Sequence, residues 1–235
     1  MIVRPVKTKI FREGEDLADF VIAHIPKVPE GSIVVVTSKI VALSEGRTEV
    51  VKNEREKESL IRRESSVALK AGKVWLTLKD GLLMANAGVD DSNGNGKIIL
   101  LPKNSFSSAE RLRKTLQKNY TINRIGIVIT DSRVMPLRAG VTAVALGYAG
   151  FSGIRDYRGT KDLFGRTFKY SQTNVADSLA TAAALVMGEG AERQPLAIIE
   201  AAPVQFSERI HKREINIPPS QDLYKPMLKI PKRQK

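Results

Sequence analysis

Two short acidic runs carry the residue types of oxygen-based metal chemistry. Asp90-Asp91-Ser92-Asn93 follows an apolar stretch and opens a Gly/Asn loop, and Asp131-Ser132 closes the β-branched run from Ile125 to Thr130. Carboxylates at strand ends, each beside a hydroxyl, suit a magnesium ion working on a phosphate substrate. Short polar side chains also make turns by hydrogen-bonding their own backbone, and pattern alone favours the turn for either run. A third cluster, Arg155-Asp156-Tyr157-Arg158-Gly159 with Asp162, Phe164, Gly165 and Arg166, is dense in guanidinium forks and carboxylates. Arginine binds phosphate or carboxylate through two parallel hydrogen bonds. An Arg–Asp network across a dimer interface explains the cluster equally well. Gly147, Gly150 and Gly153 recur at every third residue. They either open the backbone to a phosphate or form a structural bend. Gly94-Asn95-Gly96-Lys97 lacks the spacing and the hydroxyl of a Walker A loop, and no dinucleotide glycine fingerprint opens a helix after a strand.

Composition narrows the chemistry. The 235 residues include no cysteine, which removes thiol nucleophiles, disulfides, Fe–S ligation and cysteine zinc sites. The two histidines, His24 and His211, are far apart in sequence, which argues against a Ser-His-Asp triad or a histidine-rich metal site. Any metal is therefore expected to have oxygen ligands, pointing to magnesium, manganese or calcium. The net charge of +13 suits either a polyanionic partner or an anionic small substrate such as a nucleotide. The stretch 208–235 is basic and proline-containing, and Lys232-Arg233-Gln234-Lys235 reads as a solvated tail. No apolar run reaches the ~20 residues of a membrane span, and no signal-peptide core follows Met1, so a cytoplasmic protein without membrane contact is expected.

The elements that must position these residues are partly legible. Met1–Val6 reads as a strand and Glu15–Ile25 as a helix, on whose apolar side His24 is a tolerated boundary residue. Ser32–Lys39 is a β-branched run suited to a strand buried on both faces. Lys52–Ala71 reads as a charged surface helix, and Val74–Leu78 with Leu82–Asn86 as a hairpin across Lys79-Asp80-Gly81. Ile98–Leu101 is a further strand. Ser107–Tyr120 is a helix opened by a Ser107/Glu110 capping box. Ile125–Thr130 is a strand ending at Asp131, and Val141–Gly147 is another. The stretch 147–166 shows no periodicity. Asn174 caps a helix running to Met187 that Gly188 ends, and Leu196–Ile199 closes the pattern. Interspersed strands and helices give α/β to α+β, with mixed sheets and flanking helices. The expected organisation is a single unit over 1–207, with 208–235 as an extended tail.

At these residues the sequence resembles the γ-glutamyl ligase family of the deazaflavin coenzyme F-420, as a divergent, bacterial-type member. The resemblance covers about 6–203. It rests on Val35-Val36-Thr37-Ser38-Lys39-Ile40-Val41, Glu45-Gly46-Arg47, Asn86-Ala87-Gly88-Val89-Asp90 with Ser92-Asn93, and Ile129-Thr130-Asp131. It continues through Arg155–Gly159 with Asp162, Gly165 and Arg166, then Ala176-Asp177 and Leu185-Val186-Met187-Gly188. It implies a γ-glutamyl ligase-like fold, an intertwined homodimer, and attachment of L-glutamate to a carboxylate with GTP (or ATP) and magnesium or manganese. The implied route is phosphorylation of the acceptor carboxylate to an acyl phosphate, which the glutamate amine attacks. By position, the resemblance makes Asp90 and Asp131 ligands of one metal. It makes Ser132, where the family has Thr, and Glu189, where Gln is usual, contacts to a second. Asn93, Ser38, Lys39 and the segment Lys7, Thr8, Lys9 and Ile10 would line the nucleotide site, with Arg155, Arg158 and Arg166 as anion contacts and Asp90, Asp131 and Arg155 as the catalytic residues.

The chain departs from the family where substrate would be read. Leu43 stands where a second nucleotide lysine is usual, and Ala143 where an Asp is usual. The family run Thr-Phe-Gly-Arg-Pro-Trp-Arg is here Ser132-Arg133-Val134-Met135-Pro136-Leu137-Arg138. These changes put the acceptor in question, an F-420 precursor or a folate-like carboxylate, more than the metal chemistry. Two other readings stand beside it. One is a degenerate relative that binds ligands without turnover, motivated by Leu43 and Ala143. The other is a nucleic-acid binder, motivated by the charge alone; few aromatics and no recognition motif support it.

Overall fold

The uncharged run Ser32–Thr37 forms the central strand of the protein, five of its six residues being buried. The computed structural model describes residues 1–209 and 214–227. In chain order the elements begin with β1 (Ile2–Val6), α1 (Leu17–His24), β2 (Ser32–Thr37), α2 (Ser38–Ser44), β3 (Thr48–Glu49), α3 (Glu54–Arg63), β4 (Val67–Ala71), β5 (Val74–Lys79) and β6 (Leu82–Ala85). They continue with β7 (Ile98–Ile99), α4 (Ser105–Tyr120), β8 (Ile125–Val134), β9 (Val141–Ala149), β10 (Ile154–Asp156), β11 (Gln172–Asn174), α5 (Val175–Met187) and β12 (Leu196–Glu200).

Five strands make one mixed sheet in the order β1-β12-β2-β8-β9, in which only β2 and β8 run parallel. Alternation along β2 sends Val34 and Val36 to one face and Ile33 and Val35 to the other. The first face packs on α1 and α4 through Phe20, Val21, Leu112 and Leu116. The second packs on α5 through Ala176, Leu179, Ala180 and Ala183. Both faces being covered explains why β2 reads as an unbroken apolar run rather than an alternating one. Each such side chain, fully buried, contributes about 1.5–3 kcal/mol. A smaller layer between β3 and β7 carries α3 and the three-stranded sheet β4-β5-β6, with its own core of Leu60, Ile61, Trp75, Val89 and Ile98. The architecture is α+β.

Four expectations change. The charged stretch 52–71 is a helix only through Arg63; its second half is β4, paired with β5. Strand β8 does not stop at Thr130 but runs through Asp131 to Val134, paired throughout with β9. Ser38 does not end a strand but opens α2. The cap of α4 is Asn104, whose side chain accepts from the Ser107 N–H at 3.0 Å, so Ser107 lies inside the helix. The aperiodic stretch after Gly147 contains β10, paired antiparallel with β11.

The glycine triplet is a packing device. A Cβ on Gly147 would come within 2.5 Å of the Phe106 backbone N, at the start of α4. One on Gly150 would come within 2.5 Å of Arg113 Nε. One on Gly153 would collide with the Tyr148 ring hydroxyl. The segment beyond 207 begins docked. Glu208 takes both terminal nitrogens of the buried Arg113, whose Nε donates to the Ile125 carbonyl at 3.0 Å. Glu214 accepts from Tyr148 at 2.5 Å and from the Gly153 N–H at 2.6 Å. His211 and Lys232–Lys235 lie outside the described residues.

Candidate active site

The site grows from the one parallel pair of strands. Register places Thr37 of β2 opposite Thr130 of β8, so the next residue of each chain segment, Ser38 and Asp131, emerges at the same sheet end. Carboxyl ends of parallel strands are where open α/β sheets gather their ligands. Ser38 Oγ donates to Asp131 Oδ1 at 2.5 Å. One residue into α2, Lys39 Nζ lies 2.8 Å from Asp90 Oδ2 and donates to Ser92 Oγ at 2.6 Å. Asp90 is held from behind by paired backbone hydrogen bonds with Ile99, and its Oδ1 accepts the Ser92 N–H at 2.7 Å. The following turn is tight. Asn93 is left-handed at φ 59°, and a Cβ on Gly94 would collide with the Lys97 carbonyl. From the other side, Ser132 Oγ lies 2.8 and 2.6 Å from the two Glu189 oxygens, donating its single proton to one at a time. Gly188, left-handed at the end of α5, turns the chain so that Glu189 reaches Ser132.

The two aspartates differ electrostatically. Burial pushes Asp90 up, but Lys39 and Ser92 outweigh it and hold the carboxyl below its ordinary range. Burial pushes Asp131 up to about 6; Ser38 and Lys39 oppose this, while the negative charges of Asp90 and Glu189 add to it. Asp131 is a carboxylate short of positive charge. Among the described residues no three carboxylates or imidazoles converge into a ready-made metal cage. Asp90, Asp131, Ser132 and Glu189 nevertheless supply only oxygen donors. Magnesium is commonly held by one or two carboxylates, with waters and substrate phosphates completing the shell. The donor set and the charge deficit at Asp131 both fit a hard divalent cation.

The other sequence-predicted residues fall into two groups. Lys7, Thr8, Lys9 and Ile10 follow β1. Thr8 is buried, with its N–H donating to the Arg193 carbonyl at 2.9 Å, while Ile10 is 70% exposed. The Lys9 N–H donates to His24 Nε2 at 3.2 Å, and His24 Nδ1 meets the Phe20 carbonyl at 2.8 Å. These partners make His24 a loop anchor, with the proton on Nδ1. Lys9 Nζ donates to Glu15 at 3.1 Å. Arg155, Arg158 and Arg166 form the second group, on the β10–β11 hairpin. Arg155 donates to the Pro203 carbonyl, and Arg158 is clamped to Asp156 with Nε 2.9 Å from each oxygen. The Arg166 backbone N–H donates to Asp162 at 2.8 Å. Among the described residues, none of the three arginines contacts Asp90 or Asp131 by hydrogen bond or ion pair. Leu43 packs on the core beneath β2, and Ala143 is buried against α5.

One residue of the site was not singled out for chemistry from the sequence. Arg133 shares its strand with Asp131, and burial holds its guanidinium below the ordinary arginine value, with Asp177 and Asp131 opposing. Period-two alternation from Asp131 would have found it, had the strand been carried past Thr130.

An α+β protein with a carboxylate-and-hydroxyl site at the end of its parallel strand pair is the class this geometry defines. A family model described as F420-0:Gamma-glutamyl ligase matches residues 5–201, and the chain belongs to that family. The "Coenzyme F420:L-glutamate ligase" of Methanocaldococcus jannaschii is 34% identical, across 92% of this chain and 93% of its own length. That of Methanopyrus kandleri is 31% identical, across 94% and 95%. That of Methanococcus maripaludis strain C6 is 44% identical over 58% of this chain and 55% of its own length. These relatives are archaeal, and nothing among them supports a bacterial-type placement.

Proposed function

We propose that this chain is a nucleotide- and divalent-metal-dependent ligase that joins L-glutamate to a carboxylate acceptor through an acyl phosphate. The observation that carries the reading is the Ser38–Asp131 and Lys39–Asp90 pair of contacts at the end of the parallel strands. It lies in a chain whose family is a glutamate ligase by name. The acceptor named by that family is F420-0; a folate-like carboxylate is the alternative. The acceptor carboxylate oxygen bonds to the terminal phosphorus of GTP (or ATP) as the bond to the nucleoside diphosphate breaks. The glutamate amine then bonds to the acyl carbon, releasing phosphate and a proton.

In this reading Asp90, Asp131, Ser132 and Glu189 hold magnesium or manganese, which when bound neutralises phosphoryl charge. Ser38 orients Asp131, Lys39 fixes Asp90 and the Ser92 turn, and Asn93 with the segment 7–10 borders the nucleotide. Positioning and charge carry most of the catalysis, which suits a site without a thiol or imidazole. The intertwined homodimer belongs to the same proposal. Leu43 and Ala143, both packed into the core, are read as structural replacements that leave Lys39 and the aspartates in service. No described helix is long and apolar enough to cross a membrane.

The test is a reaction of the full chain with GTP or ATP, manganese, L-glutamate and F420-0. Product mass should rise by one glutamyl residue, with nucleotide hydrolysis dependent on both carboxylate substrates. Hydrolysis indifferent to both, or none, overturns the reading.

A further inference from the structure

We propose that Arg133 takes a substrate carboxylate on the outer side of Asp131. The inference rests on the ligase reading above. Strand β8 extends past the end of β2, and over Asp131–Val134 it is paired only with β9. Side chains two apart on a strand share a face, about 7 Å from one another. Arg133 therefore stands on the Asp131 face, one step further from the Ser38–Lys39 turn. Its cross-strand neighbours on this face, Thr142 opposite it and Val144 opposite Asp131, carry no charge.

The guanidinium is unspent. Among the described residues Arg133 makes no hydrogen bond and no ion pair, although it is partly buried. The nearby carboxylate that it feels, Asp177, is already engaged by the Ala145 N–H at 2.8 Å and by Asn174 Nδ2 at 2.7 Å. Its nitrogens still reach solvent, since the buried unpartnered side-chain atom among the described residues is Glu110 Oε2, so all five donors are open to a ligand. Lys39 shows the contrast, since it is fully committed to Asp90 and Ser92.

The chemistry of the reaction supplies the partner. A glutamate ligase must hold two carboxylate substrates beside a triphosphate and two aspartates, so an uncommitted cation is needed on the side the nucleotide does not occupy. A planar fork matches a carboxylate with two parallel hydrogen bonds, which an ammonium does not reproduce. The carboxylate belongs either to the acceptor or to glutamate, and separate KM values distinguish them.

The experiment compares the full chain with Arg133→Met and Arg133→Lys in steady-state ligation of F420-0 with L-glutamate, GTP and manganese. Arg133→Met should raise the KM for the acceptor or for glutamate about 10- to 100-fold. The GTP KM should stay within about twofold, and Arg133→Lys should recover only part of the loss. Unchanged KM values for both carboxylates, or a GTP KM that rises in step, overturn the proposal. Circular dichroism checks the fold, and if Arg133→Met is unfolded then Arg133→Lys decides by the same KM split. No turnover by the unsubstituted chain overturns the ligase reading itself. Calorimetric titration with F420-0 and with glutamate then still decides Arg133. Binding of one ligand that weakens in the variant supports the role; binding that is unaltered, or absent from the unsubstituted chain, overturns it.

Discussion

Replacing Asp131 by Asn should make the metal-free protein more stable while abolishing ligation. In the folded protein burial pushes Asp131 from an ordinary 3.8 to about 6. At 1.36 kcal/mol per unit, the folded state disfavours the ionised carboxylate by about 3 kcal/mol. The direction follows from proton binding. Below the unfolded value both states hold the proton and nothing is lost. As pH rises from about 4 to about 6 the unfolded chain ionises first, and the folded state loses stability until it ionises too. Above that window the whole cost is present. Asn never ionises, so the variant escapes it. Ser38 Oγ, 2.5 Å from Asp131 Oδ1, can still donate to an amide oxygen, and its preference for the carboxylate is already contained in the value of about 6. The gain at pH 8 is about 3 kcal/mol, or about 6–12 °C in Tm for a chain of this size. The assay is a pair of thermal melts, with chelator, at pH 8 and at pH 4. The gap should be open at pH 8 and closed at pH 4. A gap of equal size at both, or an Asn variant less stable at pH 8, refutes the claim that burial strains this carboxylate. Saturating manganese should reverse the order at pH 8, since only the carboxylate form gains from the cation.

Glu189→Gln removes one of the negative charges acting on Asp131 and keeps an acceptor for Ser132. The Asp131 variant gap should therefore open at the same pH, stop growing at a lower one, and be smaller at pH 8, read by repeating the same melts in that background. Glu64→Gln strips a part-buried carboxylate from Lys79, whose side chain is 9% exposed, and from Arg47. Removing one partner of such a cluster should cost about 3 kcal/mol in denaturant unfolding. Burial pushes Glu64 up, but Lys79 and Arg47 bring it net below its ordinary value. Its contribution is therefore present at neutral pH and lost as pH falls through that lowered value. Gly147→Ala sets a Cβ against the first turn of α4, within 2.5 Å of the Phe106 N, and should destabilise by about 1–3 kcal/mol. Nucleotide affinity of the folded fraction, followed by calorimetry, should not change; a selective loss of affinity would return the glycine to a phosphate-binding role.

What the sequence made legible tracks how local the signal is. The β-branched run of β2 and the capped helix α5 were found because the pattern and the cap both lie within the element. The stretch 52–71 misled because nothing local marks where the helix gives way to a strand. Glu54–Arg63 is helical, and Val67–Ala71, with no alternation of its own, is a strand because of its partner β5, which comes later in the chain. Composition alone restricted a metal to oxygen donors, but only the fold brings Ser38 to Asp131 across 93 positions, through a parallel pairing that no short window contains. The arginines of 155–166 looked like anion contacts by type, yet Arg158 is spent on its own neighbour Asp156.

Arg133 shows the same limit from the other side. Ending β8 at Thr130 is a natural reading, since Asp131 and Ser132 are residues that favour turns. The strand continues because β9 pairs with it residue by residue, Asp131 opposite Val144, Ser132 opposite Ala143 and Arg133 opposite Thr142. That continuation decides the chemistry. A turn at Asp131 would leave Arg133 pointing anywhere, whereas a strand fixes it on the Asp131 face while Ser132 points to Glu189. The extra four residues of β8 thus sort three consecutive side chains into a proposed metal ligand, a hydroxyl engaged by a second carboxylate, and an uncommitted cation. Breaking the pairing should scramble all three together. Thr142→Pro, at a position paired within the strand, should therefore raise the KM for the Arg133-bound carboxylate and weaken manganese binding in parallel. An effect on one without the other would show that the strand does not hold them as a unit.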